Sequence, residues 1–277
     1  MPHAAVGSSS KLALAAAASL FAGLAAVSAT ARAAQSEAEL AKATQNPIAA
    51  LTSVPLQYNY DQKIGLQEAG HKNYINLQPV VPFSLNENWN LISRTILPLV
   101  EQHDVFPGAG RQSGIGDTTQ SLFFSPKQPT ADGWIWGAGP VLYLPTASDD
   151  LLGADKWGVG PTAVVLRQEH GWSYGALANH IWSVGGAGRA DISSTYLQPF
   201  LSFTTPSFTT YAVNTESTYD WERKDWSVPI NLMVSQLLKI GDQRLTLQAG
   251  PRYWVSSPDT GAHGWGARFT VTFLFPN

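Results

Sequence analysis

Residues 171 to 175 read GWSYG, the G-x-S-x-G pattern that in many lipases and esterases lifts a nucleophilic serine out of a sheet on a strained turn. That chemistry needs a strand, a sharp turn and then a helix, with an acid and a histidine later in the chain. The residues that follow, WSYGALANHIWS, keep a period of two instead. On that period Ser173, Gly175, Asn179 and Ser183 share one face, while Trp172, Tyr174, Ala176, Ala178, His180 and Trp182 share the other. Ser173 and His180 point apart, so no catalytic residue is expected.

Metal chemistry fares no better. His71, His103, His170 and His263 fall in loops or turns without H-x-x-x-H spacing. The loop acids Asp149, Asp150 and Asp155 lack the spacing of a calcium loop, and a solvated acidic loop is the expected reading. With no cysteine in the chain, disulfides, thiolate zinc sites and thiol nucleophiles are all excluded. No cofactor and no metal are expected.

The elements that would position any site must be strands in an unusual solvent. Of 277 residues only 13% are charged, against 11% aromatic with 10 Trp, where soluble domains carry about 25% charge. A net charge of −3 offers no basic field, so nucleic acid is not an expected partner. Lys11 precedes the run LALAAAASLFAGLAAVSA and the small-x-small triplet Ala31-Arg32-Ala33, which predicts a secretory signal over residues 1–33. Beyond it no apolar run is long enough for a spanning helix. Residues 36–50 read as a short helix ended at Asn46-Pro47, within a 34–54 segment expected to be a periplasmic helix, a linker or a plug. A chain of this composition that enters a membrane must do so as a barrel.

The strand pattern supports that. In the last segment Trp265, Ala267, Phe269, Val271, Phe273 and Phe275 alternate with Arg268, Thr270 and Thr272, an apolar face against a polar one over the length a spanning strand needs. Leu245, Leu247, Tyr253 and Val255 oppose Arg244, Thr246, Gln248 and Arg252 in the same way. Roughly twelve extended segments follow, near 55–65, 73–85, 88–101, 117–126, 134–146, 157–168, 172–184, 194–204, 208–220, 225–238, 244–255 and 264–275. Their connections alternate between short turns and longer Gly- and Asp-rich loops, as at the periplasmic and extracellular rims of an outer-membrane barrel. Trp89, Trp134 and Trp172 fall at one rim and Trp157, Trp182, Trp221, Trp226, Trp254 and Trp265 at the other, which predicts two membrane-interface girdles. Prolines inside the strands, among them Pro79, Pro140, Pro161 and Pro251, remove ladder donors and are expected at bulges or at compensated positions.

The inward parity then collects a lumen. Gln57, Asn59, Asp61, Lys63, Asn76, Gln78, Arg94, Asn214, Glu216, Asn231, Arg244, Gln248, Arg252 and Arg268 are the expected lining, and their four arginines against few acids lean it toward anions.

The stretches NPIAALTSVPLQYNYD, QPVVPFSLNENWNLISRTILPLV, GIGDTTQSLFFSP and GWIWGAGPVLYLPTASDDLLGADKWGVGPTAVVL, with the closing FLFP, resemble the bacterial outer-membrane family named for the MetA pathway of phenol degradation. The likeness covers most of residues 45–277 and is sharpest from GWIWGAGP to KWGVGPTAVV. EAGHK is shorter than that family's first loop, and Pro276-Asn277 follow the terminal aromatic. The resemblance implies passage of small aromatic or apolar molecules and assigns no catalytic residue.

The expectation is therefore an all-β, antiparallel, up-and-down transmembrane barrel over residues 55–277, in the bacterial outer membrane, serving as a channel or facilitator. Its expected partners are outer-membrane lipid and lipopolysaccharide, a small-molecule permeant, and the barrel-assembly machinery during insertion. A lipid hydrolase of the outer-membrane phospholipase type, or a sealed structural barrel, are the alternatives. In the phospholipase a Ser and a His lie on the barrel's lipid side, yet no Ser of His180's parity is evident on the adjoining segments here.

Overall fold

The computed structural model describes residues 37–188 and 190–276. The expected signal segment, residues 1–33, lies outside the described residues, as do the first residues of the 34–54 segment. Fifteen hydrogen-bonded segments form one sheet, and three strands are each interrupted once, which leaves twelve. They are β1 (Thr52–Ile64), β2 (Gly70–Leu77 and Val80–Ser84), β3 (Trp89–His103), β4 (Arg111–Ile115 and Thr118–Pro126), β5 (Trp134–Leu144) and β6 (Trp157–Glu169). The second half comprises β7 (Trp172–Gly185), β8 (Ser193–Thr204), β9 (Thr209–Thr215 and Ser217–Asp220), β10 (Asp225–Ile240), β11 (Gln243–Ser256) and β12 (Gly264–Phe275).

Every strand pairs antiparallel with its sequence neighbours, and β12 closes on β1 with Thr52 opposite Phe275 and Asn59 opposite Arg268. Closure is what removes the unpaired edge donors that hydrocarbon would not tolerate. The alternation fixes the register, because a slip of one residue would turn every Arg and Asn of a strand outward. Thus Leu56, Tyr58, Ile75, Leu232, Val234 and Phe269 are exposed on the exterior, whereas Asn59, Asn231, Arg252 and Arg268 are buried inside.

One expected loop is shorter than its composition suggests. Arg111–Ile115 pairs with Leu99–His103 and extends β4 upward, with Gln102 Nε2 donating to Gln112 Oε1 at 3.2 Å across the pair. Its glycine-rich spelling hid an ordinary alternation. Asp117, in the break of β4, accepts from Tyr143 Oη at 2.9 Å and from the backbone N–H groups of Ala147 and Ala154 at 3.1 and 2.6 Å. Those bonds hold the 145–156 loop against β4, with Ala154 at the edge of the interior.

The prolines fall where pairing fails. Pro79 sits in the break of β2, and Pro229 sits at the register shift of β10. Three Gly-Pro steps, Gly139-Pro140, Gly160-Pro161 and Gly250-Pro251, interrupt the β4–β5, β6–β7 and β10–β11 ladders for two residues without a change of register. A side chain at Gly160 or Gly250 would overlap the carbonyl oxygen of His180 or Leu232 on the neighbouring strand. The carbonyl that has lost its N–H partner leans over the bare glycine Cα, which only glycine permits.

Ahead of β1, a short helix covers residues 37–43. It stops before Asn46-Pro47 because Gln45 and Asn46 turn back to the Lys42 and Ala43 carbonyls, and Asn46 Oδ1 then accepts from the Ile48 N–H at 2.9 Å. Residues 41–51 run inside the barrel wall at the short-turn rim. Ile48 is 4% exposed and joins Ile92, Phe123, Val164, Leu166 and Leu177 in the apolar cluster of the interior. Gly137 leaves room for it, since a Cβ there would lie 3.1 Å from Ile48 Cδ1. Gln168 Nε2 donates to the Lys42 carbonyl at 2.8 Å and ties the segment to β6.

Candidate functional site: the lumen

Among the described residues two interior cavities lie along the barrel. The larger, about 570 Å³, opens among the long loops and is lined by Asn76, Thr119, Leu177, Asn179, Ile181 and Tyr196 with the loop residues Asp191 and Arg223. The smaller, about 210 Å³, lies toward the short turns and is bounded by Ala43 to Pro47 and Ala49 of the N-terminal segment together with Gln248 and Leu274. Four side chains line both: Gln57, Gln78, Arg94 and Glu216. They come from β1, the break of β2, β3 and the break of β9, and they mark the boundary between the two spaces.

Around that boundary the strands β1, β2, β9, β11 and β12 carry a hydrogen-bonded network. Arg268 forks onto Glu216, with Nη1 donating to Oε1 at 2.8 Å and Nη2 to Oε2 at 2.6 Å. Its Nε donates to Asn59 Oδ1 at 2.8 Å. Two parallel bonds hold both groups in one plane, which a lysine could not do. One turn of the ladder outward, Arg252 Nη1 donates to Tyr74 Oη at 2.6 Å and to Asn59 Oδ1 at 3.4 Å. Its Nε lies 3.5 Å from Asp61 Oδ1, which also accepts from Trp254 Nε1 at 2.8 Å. Asn231 Nδ2 donates to Asn214 Oδ1 at 2.8 Å. Buried arginines here are paired, as the cost of removing a charge from water requires.

The structure thus brings Asn59, Asp61, Asn76, Gln78, Arg94, Glu216, Asn231, Gln248, Arg252 and Arg268 to the inner face. Arg244 stands opposite Leu274 on that face, at the short-turn end. Lys63 is different. A bulge between Gln62 and Ile64 interrupts the alternation, Lys63 takes a φ of 54°, and its exposed ammonium pairs with Glu68 at 3.1 Å in the adjoining loop. A β-bulge inserts a residue and re-aims the side chain, so the inward assignment of Lys63 is corrected.

Trp254 is the second correction. Its parity is that of Arg252, and its ring lies under the Arg252 guanidinium at 4.6 Å with the indole N–H on Asp61. It belongs to the interior network, where a cation over an indole is favoured, rather than to a girdle. The other indoles sit on the outside near the rims: Trp89 edge-on to Trp136, Trp134 to Tyr174 and Trp172 against Phe203 at the short-turn end. At the loop end Trp182 lies on His180, Trp221 and Trp226 flank Tyr219, Trp265 covers Tyr253, and Trp157 is 53% exposed.

Sequence reasoning missed Lys72, Tyr74, Tyr196 and Asp117 as interior groups. The first two share the parity of Asn76 and Gln78, and extending that alternation upstream finds them; Asp117 sits in a break, where no period points the way.

Ser173 is 3% exposed and faces the interior, accepting from Gln168 Nε2 at 2.9 Å. His180 is on the outer face with Nδ1 2.7 Å from Thr195 Oγ1. The two do not meet, and among the described residues no cluster of His, Cys, Asp and Glu has the spacing of a metal site.

The barrel architecture has a solved counterpart. The COG4313 outer membrane channel from Pseudomonas putida F1 superposes with a TM-score of 0.64 at 16% identity, over 82% of this chain and 96% of that chain. The β domain of the Bordetella autotransporter BrkA gives 0.45 at 12% identity, over 81% and 99%. Outer membrane phospholipase A from Escherichia coli gives 0.45 at 12% identity, over 82% and 92%. No curated protein matches the sequence. The family model described as the MetA-pathway of phenol degradation matches residues 62–275. With a closed barrel, an apolar exterior and a polar lumen in place, the chain belongs to that outer-membrane family.

Proposed function

We propose that this barrel is an outer-membrane channel or facilitator for small, aromatic or otherwise largely apolar molecules, performing no chemistry of its own. The observation that carries the reading is the pair of cavities meeting at Gln57, Gln78, Arg94 and Glu216, closed on the short-turn side by residues 43–49. A sealed structural barrel would gain nothing from a buried polar boundary that costs desolvation. The exterior indoles serve as interface anchors in lipid and lipopolysaccharide, and barrel-assembly machinery inserts the sheet. The N-terminal segment acts as a plug that must shift for passage, with Ile48 seated in the apolar cluster and Gln168 bonded to the Lys42 carbonyl.

Planar-bilayer recording tests this. The natural chain is expected to show small or infrequent conductance steps, and Ile48→Asp, which places a charge in the apolar cluster, larger and longer ones. Absence of discrete steps from both proteins, each inserted and heat-modifiable, would establish a sealed barrel instead.

A further inference from the structure

The lining of the loop-side cavity is unevenly charged, and this inference deepens the channel reading on which it rests. Of the arginines at the boundary or above it, Arg268 is neutralised by Glu216 and Arg252 lies against Asp61. Arg94 has neither arrangement. Among the described residues it has no carboxylate within 4.0 Å, and its Nη2 donates to the neutral Gln78 Oε1 at 3.2 Å. A guanidinium carries five N–H donors, so Arg94 keeps most of its capacity for something in the cavity it lines. The nearby Glu216 is held in the Arg268 fork, and among the described residues Arg94 makes no hydrogen bond to it.

The rest of the cavity suits an organic molecule rather than a bare ion. Leu177, Ile181 and Ile96 supply an apolar side. Asn76, Asn179 and the Tyr196 hydroxyl line the same space, and none of them has a side-chain hydrogen bond among the described residues. A concave, largely apolar site with a few convergent polar groups and a volume of several hundred Å³ is the form small-molecule sites take. The loop-side rim adds no competing excess of positive charge: Lys156 is paired with Asp191 at 3.0 Å, Arg223 stands 3.9 Å from Asp220, and Glu222 adds a carboxylate at the open end, away from the Arg94 boundary.

We propose that the loop-side cavity is a binding site for small organic monoanions, with the carboxylate on Arg94 and the apolar body against Leu177, Ile181 and Tyr196. The site selects among permeants at the boundary. Arginine suits this task because its planar fork matches a carboxylate in two places.

The test is calorimetric titration of the detergent-solubilised full chain with benzoate, benzyl alcohol and benzylamine as probes of one size and three charges. Benzoate is expected to bind more tightly than either of the others. Arg94→Gln is expected to weaken benzoate about tenfold or more while leaving benzyl alcohol within about twofold. Arg94→Lys retains part of the preference, because the charge remains but the fork is lost. A normal heat-modifiable band for each variant shows that the barrel is intact. Equal binding of benzoate and benzyl alcohol, or a benzoate preference that survives Arg94→Gln, overturns the proposal. Because binding is read without permeation, a barrel that shows no conductance yet binds benzoate through Arg94 sinks the channel reading and keeps this one. An open channel that ignores benzoate does the reverse.

Discussion

The two sides of the interior are built on different physics. On the β1, β2, β11 and β12 side, Asn59, Asp61, Tyr74, Arg252 and Arg268 form bonds whose geometry is fixed by charge and donor direction. On the facing side, Ile92, Phe123, Val164, Leu166 and Leu177 form a dry cluster that closes around Ile48. The polar side spans distant parts of the chain, with Asn59 bonded to Arg268 across the closing seam. It specifies which strand meets which. The apolar side is less directional: Ile48 sits in it through apolar contacts, and Gln168 adds one hydrogen bond to the Lys42 carbonyl.

Several substitutions sharpen the contrast. Arg268→Met leaves Glu216 charged and unpaired beside the boundary, and should cost about 3–5 kcal/mol of unfolding free energy in denaturant titrations of the refolded barrel. Glu216→Leu added to it should recover most of that loss, as paired removal of a buried charge pair often does; failure to recover would mean the network does more than neutralise. Next comes the plug. The chain has no cysteine, so Lys42→Cys with Gln168→Cys introduces a single thiol pair, joining the segment to β6 where the Gln168 to Lys42 bond now runs. Oxidation should suppress conductance several-fold and reduction should restore it, whereas equal currents in both states would free the plug from any role. On the apolar side Ile92→Val, at a fully buried position, should cost only about 0.5–1.5 kcal/mol, and cross-wall additivity with Arg268→Met would show the two sides to be independent.

The smallest effect belongs to the rim. The Lys156 ammonium hydrogen-bonded to Asp191 holds that carboxyl below its ordinary range near 3.8. A depressed carboxyl contributes order that is complete above its ordinary pKa and is lost as pH falls through the lowered one. Protection of the Ile192 amide, taken relative to intrinsic exchange at each pH, should therefore hold through neutral and mildly acidic pH and fall only in strong acid. Lys156→Ala should lower that protection slightly at neutral and mildly acidic pH and leave it unchanged in strong acid, where the pair is already lost.

Much of the barrel was legible because one property, alternation, sets both register and facing. Asn59, Arg252 and Arg268 could be placed inward from parity alone, and the exterior Phe269 and Leu232 likewise. Alternation fails wherever an extra residue enters, and Lys63 at its bulge shows how. Trp254 shows another limit: its position along the strand suggested a girdle, while its parity with Arg252 already pointed inward. The 111–115 extension was hidden by glycine-rich spelling, and Asp117 by a break in the strand. Contacts made across the bore, such as Ile48 on Phe123 or Arg94 beside the Glu216 pair, have no local periodicity at all.

The Gly-Pro steps leave the wall with missing rungs at three seams, β4–β5, β6–β7 and β10–β11. A hoop with a few soft joints deforms at those joints first. Thermal breathing of this cylinder should concentrate there, letting its cross-section ovalise while the Arg-laced seam beside β12 stays round.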